Sequence, residues 1–130
     1  MNTYRVLVTG SRDWEDAPTL VAALEAVFDQ SYSNDSRLVV VQGGAAGADI
    51  MARRWANWKY GVDCETYEAE WRPHGIYNPQ AGLVRNRLMV NLGADLCLAF
   101  IRGGSRGATH CAQLAEEAGI PVRRFEVSDR

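Results

Sequence analysis

Two short stretches hold the residue types from which chemistry could be built: "VVVQGGAAGAD", Val39 to Asp49, and "DLCLAFIRGGSRGAT", Asp95 to Thr109. Each is a hydrophobic run that breaks into Gly-Gly and passes into sequence of helical character. Gly43, Gly44 and Gly47 lack a Cβ, so the backbone around Ala45 can take positive φ and let a phosphate approach its amide N–H groups. A helix beginning near Ala45 would aim its positive end at the same point. Gly103, Gly104 and Gly107, together with Ser105 and Ala108 and a helix expected near Thr109, repeat the arrangement. The spacing matches neither the GxGxxG of dinucleotide-binding loops nor the GxxxxGK[ST] of P-loops, and neither loop holds a lysine. A tight strand-to-helix turn would account for one such loop. Two of them ask for an anionic ligand.

Other side chains could complete such a site. Asp49 suits a ribose hydroxyl or the orientation of its glycine loop, and equally the ordinary place of an acidic residue in a first helical turn. Arg85 and Asn86 open the helical stretch "AGLVRNRLMV". A cation near a helix start works against the dipole, so a phosphate contact is expected of Arg85. Arg87 could make the same contact or face solvent. Gly10, Ser11 and Arg12, after the first strand, offer backbone, hydroxyl and guanidinium contacts. Trp14 and Trp71 stand in loops where a base could stack. They could instead cap the core or join a dimer, the reading preferred for Trp71. His74 and His110 have no acidic partner at ligand spacing, so no metal site is expected. Cys64, Cys97 and Cys111 form no CxxC pair, which argues against zinc and against a disulfide framework. Cys64 and Cys97 read as core residues, and Cys111 lacks an activating base.

These residues must be held by regular elements, and the chain alternates between two kinds. Strands are expected over Tyr4–Gly10, Arg37–Gln42, Val62–Tyr67, "DLCLAF" and "IPVRRFEV". Helices are expected over Ala17–Phe28, Ala45–Tyr60, Leu83–Leu92 and Thr109–Ala118, with Pro18 in a first turn and Gly93 and Gly119 as stops. "SYSNDS" and "EAEWRPHGIYNPQAG" read as loops. Strands that are apolar throughout belong to a parallel sheet covered on both faces. With right-handed crossovers the result is an α/β fold, a three-layer Rossmann-like sandwich with a five-stranded parallel sheet, in one domain over residues 1–130. In such a sheet the crevice lies beyond the carboxyl ends of the strands. The loops after strands one to four share that edge, and they contain all the unusual residues.

The chain has 130 residues, 47% hydrophobic and 23% charged, with a formal net charge of −2. That charge and a pI near 5.6 count against sequence-independent duplex binding. Of the 14 basic residues only Lys59 is a lysine. Arginine forks match phosphate oxygens, although genomic base composition explains the bias equally well. No apolar stretch approaches the roughly 20 residues that span a bilayer. The start, "MNTYRVLV", has no apolar leader segment. A cytoplasmic protein without membrane contact is expected. "RRWANWKY" sets Trp55 and Trp58 three apart, with Tyr60 beyond, and predicts a homodimer or higher oligomer.

"VTGSRDW", "VVVQGGAAGAD", "AGLVRNRLMV", "LAFIRGGSRGAT" and "AGIPV" occur in the order and at the spacing of the YspA/YpsA-like branch of the SLOG superfamily, which this chain resembles over nearly its whole length. These Rossmann-like domains are related to DprA and to the Lonely Guy enzymes. The resemblance implies a nucleotide or nucleotide-derived small molecule as partner at the glycine loops, with no cofactor, in a protein of bacterial or phage type. Lonely Guy enzymes cleave the N-glycosidic bond of nucleoside monophosphates with a PGGxGTxxE-like signature and an arginine on the preceding helix. Arg85 matches that arginine. Arg102 stands at the proline, Ala108 at the threonine, and His110 or Cys111 where the acid belongs. Glu116 and Glu117 lie too far along the helix, so the carboxylate that glycosidic cleavage wants is missing unless Asp49 or Glu70 substitutes. A binding module is the expectation, the hydrolase its first alternative and DprA-like single-strand binding its second.

Overall fold

The computed structural model describes residues 2–128. Five strands, β1 (Asn2–Gly10), β2 (Ser36–Gln42), β3 (Val62–Thr66), β4 (Leu96–Arg102) and β5 (Val122–Val127), form one sheet in the order β3-β2-β1-β4-β5. Every neighbouring pair is parallel. Four helices connect them: α1 (Ala17–Ser33), α2 (Ala48–Trp58), α3 (Ala81–Asn91) and α4 (Arg106–Glu117). A short 3-10 turn, Pro73–Gly75, interrupts the loop before α3.

Successive side chains of a strand point to opposite faces, and the central strands are apolar at both. Val6 and Val8, Leu38 and Val40, and Leu98 and Phe100 pack on one face with Leu20 and Leu24 of α1 and Ala52 and Trp55 of α2. Leu7, Val39, Val41 and Cys97 pack on the other with Met89 and Val90 of α3 and Cys111 and Ala115 of α4. Each fully buried aliphatic side chain contributes about 1.5–3 kcal/mol. The sheet is therefore clamped between two helical layers, the three-layer Rossmann-like sandwich that the strand pattern predicts. The edge strands depart from the pattern: β3 and β5 hold only exposed and half-buried residues, since each lacks a neighbour on one side.

Several element ends fall elsewhere than the sequence suggests. α1 runs five residues further, to Ser33, through part of the expected polar loop, because Ser31 is buried and bonds back to the Phe28 carbonyl at 2.9 Å. The two helices that follow glycine loops shift in opposite directions. α2 begins at Ala48 rather than Ala45, and α4 at Arg106 rather than Thr109. α3 begins at Ala81, so Arg85 lies in its second turn and the dipole argument for that residue falls away.

Candidate functional site

The strand order reverses between β1 and β4, and a cleft of about 600 Å³ opens there beyond the carboxyl ends of the strands. Gly10 and Arg12 from β1, Ala45 and Asp49 from the first glycine loop and α2, and Arg85 and Asn86 from α3 line it. Gly103, Ser105, Gly107 and Ala108 form the wall beneath β4. Ser11, Gly43, Gly44, Gly47, Gly104 and Thr109 do not line this cleft; Gly43 and Gly44 open instead on a side groove of about 250 Å³ next to Glu68.

The first glycine loop is occupied by the protein itself. Asp49 Oδ2 accepts hydrogen bonds from the Gly43 and Ala45 N–H groups at 3.1 and 3.3 Å. Gln42 Oε1 accepts the Gly44 N–H at 2.6 Å. Arg85 covers the other side, donating to the Gly43 carbonyl at 2.7 Å and more weakly to that of Tyr67 at 3.4 Å. Gln42, fully buried, was not singled out from the sequence. The signal is there: a polar residue ends an otherwise aliphatic strand immediately before Gly-Gly.

Two further glycines serve the packing of this region. A Cβ on Gly10 would sit 2.8 Å from the Phe100 carbonyl, and one on Gly47 would sit 2.6 Å from the Arg12 carbonyl. Gly47 also takes φ +80, a conformation that side chains rarely adopt. Ser11 is a brace, 1% exposed, whose hydroxyl accepts the Arg102 N–H at 2.7 Å and so ties the ends of β1 and β4 together.

The second loop is open. Gly103, Gly104 and Gly107 are exposed, and a Cβ on Gly104 or Gly107 would meet no atom within 4 Å. Gly103 and Gly104 take φ +60 and +68 and turn the chain into α4. The first intrahelical bond of α4 runs from the Thr109 N–H to the Ser105 carbonyl at 3.0 Å. The N–H groups of Arg106, Gly107 and Ala108 therefore precede the helical ladder. Ser105 stands at the cap position, but its side chain makes no capping bond. Asn86 Nδ2 reaches the Gly107 carbonyl at 3.3 Å, and Arg85 Nε donates to Asn86 Oδ1 at 3.0 Å. A chain of polar contacts thus joins the two loops.

Aromatic residues divide between core and rim. Trp14 is buried against Phe100, with ring centroids 5.4 Å apart, and its indole N–H donates to the Asp16 carbonyl, so it is a core residue with no face free for a base. Trp71, expected to cap the core or join an interface, is half-buried on the cleft wall with the Arg12 guanidinium 5.5 Å above its ring. Cys111 is buried beside the cleft, and burial pushes its thiol up to about 11, which leaves no nucleophile at neutral pH. Burial likewise pushes the Asp49 carboxyl up to about 6, against the lowering effect of its amide donors and of Arg85 and Arg12. No group of ligating side chains suited to a metal occurs among the described residues.

The model of the YspA, cpYpsA-related SLOG family matches residues 4–74. The chain belongs to that family. The Gene 61 protein of Mycobacterium phage D29 is 46% identical to it over 126 residues, covering 93% of this chain and 95% of that protein. No solved structure gives a significant match. In this SLOG protein the family match takes in most of β1, the first glycine loop and the loop with Trp71 as far as His74, while Arg85 and the second glycine loop lie beyond it. Glu116, distant from the cleft in sequence, is bound to Arg124 at 2.7 Å. Glu70 lines a separate groove with Val84 and Leu88.

Proposed function

We propose that this SLOG protein is a one-domain binding module for a nucleotide or nucleotide-derived small molecule, with a phosphate of the ligand on the N-terminus of α4. The observation that carries this reading is the uncapped first turn of α4, exposed at Gly107 and opening into the cleft at the β1/β4 reversal. Unpaired N–H groups and the positive helix end there favour an anion. Family membership supports the ligand class. Arg12, with its guanidinium at the cleft rim, adds charge, and Trp71 offers a stacking surface.

Binding is favoured over glycosidic hydrolysis by the placement of the carboxylates. Two acids line the cleft: Asp13 is exposed at its rim, and buried Asp49 has one oxygen already spent on two backbone amides. Glu70 and Glu116 are elsewhere. An overall negative charge disfavours single-stranded nucleic acid as the partner. No helix among the described residues is long and apolar enough to cross a membrane. A cytoplasmic location is part of the proposal.

Self-association belongs to the same proposal, with a changed surface. Trp55 is a core residue whose indole N–H donates to Glu25 at 2.9 Å, so it is not part of an interface. Trp58 and Tyr60 are exposed, and α3 adds an apolar stripe of Val84, Leu88 and Leu92, four residues apart on one side. A monomeric mass by light scattering at micromolar concentration would contradict a dimer.

The functional test is a titration of the purified protein with nucleoside 5′-monophosphates, followed by calorimetry and by chromatography for free base. Saturable binding without released base is expected. Released base would assign the hydrolase instead.

A further inference from the structure

We infer that Asp49 is the residue that reads the ligand's sugar, its Oδ1 accepting a hydrogen bond from a pentose 2′- or 3′-hydroxyl, so that the site prefers ribonucleotides to forms lacking both hydroxyls. This rests on the nucleotide-binding reading above and adds to it a subsite and a selectivity.

The first observation is an incomplete set of hydrogen bonds. Asp49 is 5% exposed, and Oδ2 takes the Gly43 and Ala45 amides, whereas Oδ1 is buried with no donor among the described residues. Buried carboxylate oxygens are normally paired, because an unmet acceptor keeps its desolvation cost. The two nearby cations are engaged elsewhere. Arg85 holds the Gly43 carbonyl and Asn86, and Arg12 lies over Trp71. The upward shift of the Asp49 carboxyl has the same origin, a charge that burial deprives of solvation.

The second observation is position. Asp49 lines the same cleft as the open turn of α4, and the contacts Arg85 to Asn86 to Gly107 connect the two walls. In a nucleoside 5′-phosphate the pentose is the unit next to the phosphate. With the phosphate on α4, the pentose comes between that helix and the first glycine loop, and its hydroxyls are the donors it can offer there. The first loop would then serve the ligand through its carboxylate rather than through its amides.

Calorimetric titration of the four ribonucleoside 5′-monophosphates and their 2′,3′-dideoxy counterparts, with inorganic phosphate alongside, tests this. The wild type should bind the dideoxy forms at least about tenfold more weakly, the loss expected for one hydrogen bond to a charged group. Asp49→Asn keeps an oxygen for the Gly43 and Ala45 amides but presents an NH2 group in place of Oδ1. A neutral amide donating to a hydroxyl oxygen makes a weaker bond than a carboxylate accepting from one, so this variant should separate ribo from dideoxy forms much less than the wild type does, while still binding inorganic phosphate. Equal binding of both forms by the wild type overturns the inference and leaves the phosphate site standing, and this comparison needs no variant to fold. Discrimination undiminished in a folded Asp49→Asn protein overturns it as well. If neither nucleotides nor phosphate bind, the underlying reading fails and takes this one with it.

Discussion

The two glycine loops can be laid over one another residue for residue, GGAAGAD on GGSRGAT, yet they end in opposite states. The first is closed: Asp49 fills the nest of amides, Gln42 takes the one between, and Glu68 stands nearby in the side groove. The second is open: its glycines are exposed and the first turn of α4 has no side-chain cap. The difference comes from where the helix starts. α2 begins after the third glycine, which leaves Asp49 in its first turn, able to fold back on the loop. α4 begins before the third glycine, which puts Thr109 at the fourth helical position, past the turn that would need capping. The same pattern thus makes an internal brace in one place and an open, uncapped helix start in the other.

The third glycine of each loop breaks the comparison most sharply. Gly47→Ala should destabilise the protein by about 3 kcal/mol or more, since it combines strained positive φ with a Cβ pressed on the Ser11 and Arg12 carbonyls. Urea unfolding should show it as a lowered midpoint. A midpoint equal to the wild type's would mean that the first loop is not the packed brace described.

Asp49 comes next. Its carboxyl is raised in the folded protein to about 6, against roughly 3.9 in an unfolded chain. Below the unfolded value the group is neutral in both states and costs nothing. As pH rises through the folded value, it ionises more readily in the unfolded chain, and stability is lost. Relative to Asp49→Asn, the wild type should therefore lose about 2–3 kcal/mol between pH 4 and pH 7, with little further change above. Parallel pH profiles for the two proteins would show that Asp49 is not held in this way.

A smaller effect is expected at the open loop. Ser105→Asp supplies the missing cap to α4 and should raise stability by about 1 kcal/mol. The same carboxylate would fill the anion site, so phosphate and nucleotide affinity should fall roughly tenfold or more. A stabilised variant with undiminished affinity would move the ligand away from α4. The smallest change is Gly107→Ala, which enters open space at a helical φ and should stabilise by ~0.5–1 kcal/mol. Its methyl group would nevertheless crowd a ligand on the amides, so a thermal gain paired with weaker binding is the expected signature.

The alternation of strand and helix, the parallel sheet and the edge where the cleft opens were legible because hydrophobic period and glycine placement are local signals. Gly47 and Gly107 could not be told apart, because their difference lies in partners distant in sequence: the carbonyls of Ser11 and Arg12 for one and open space for the other. The same holds for the tryptophans. Trp14 and Trp55 are core because Phe100 and Glu25 come to meet them, and Trp71 reaches the cleft because the loop after β3 meets Arg12 in the loop after β1. Arg85 lies beside the first glycine loop, but its Nη1 donates to backbone carbonyls and its Nε to Asn86, a role no helical position announces.

An anion is expected to bind at the second loop and not at the first. Titrating the isotope-labelled protein with a nucleoside 5′-monophosphate, with inorganic phosphate as control, and following backbone amide shifts by NMR tests it directly. The amides of Gly104, Arg106, Gly107 and Ala108 should move with both ligands, while those of Gly43, Gly44 and Ala45 hold still under phosphate alone. Shifts under phosphate confined to Gly43, Gly44 and Ala45, with α4 unmoved, would contradict it.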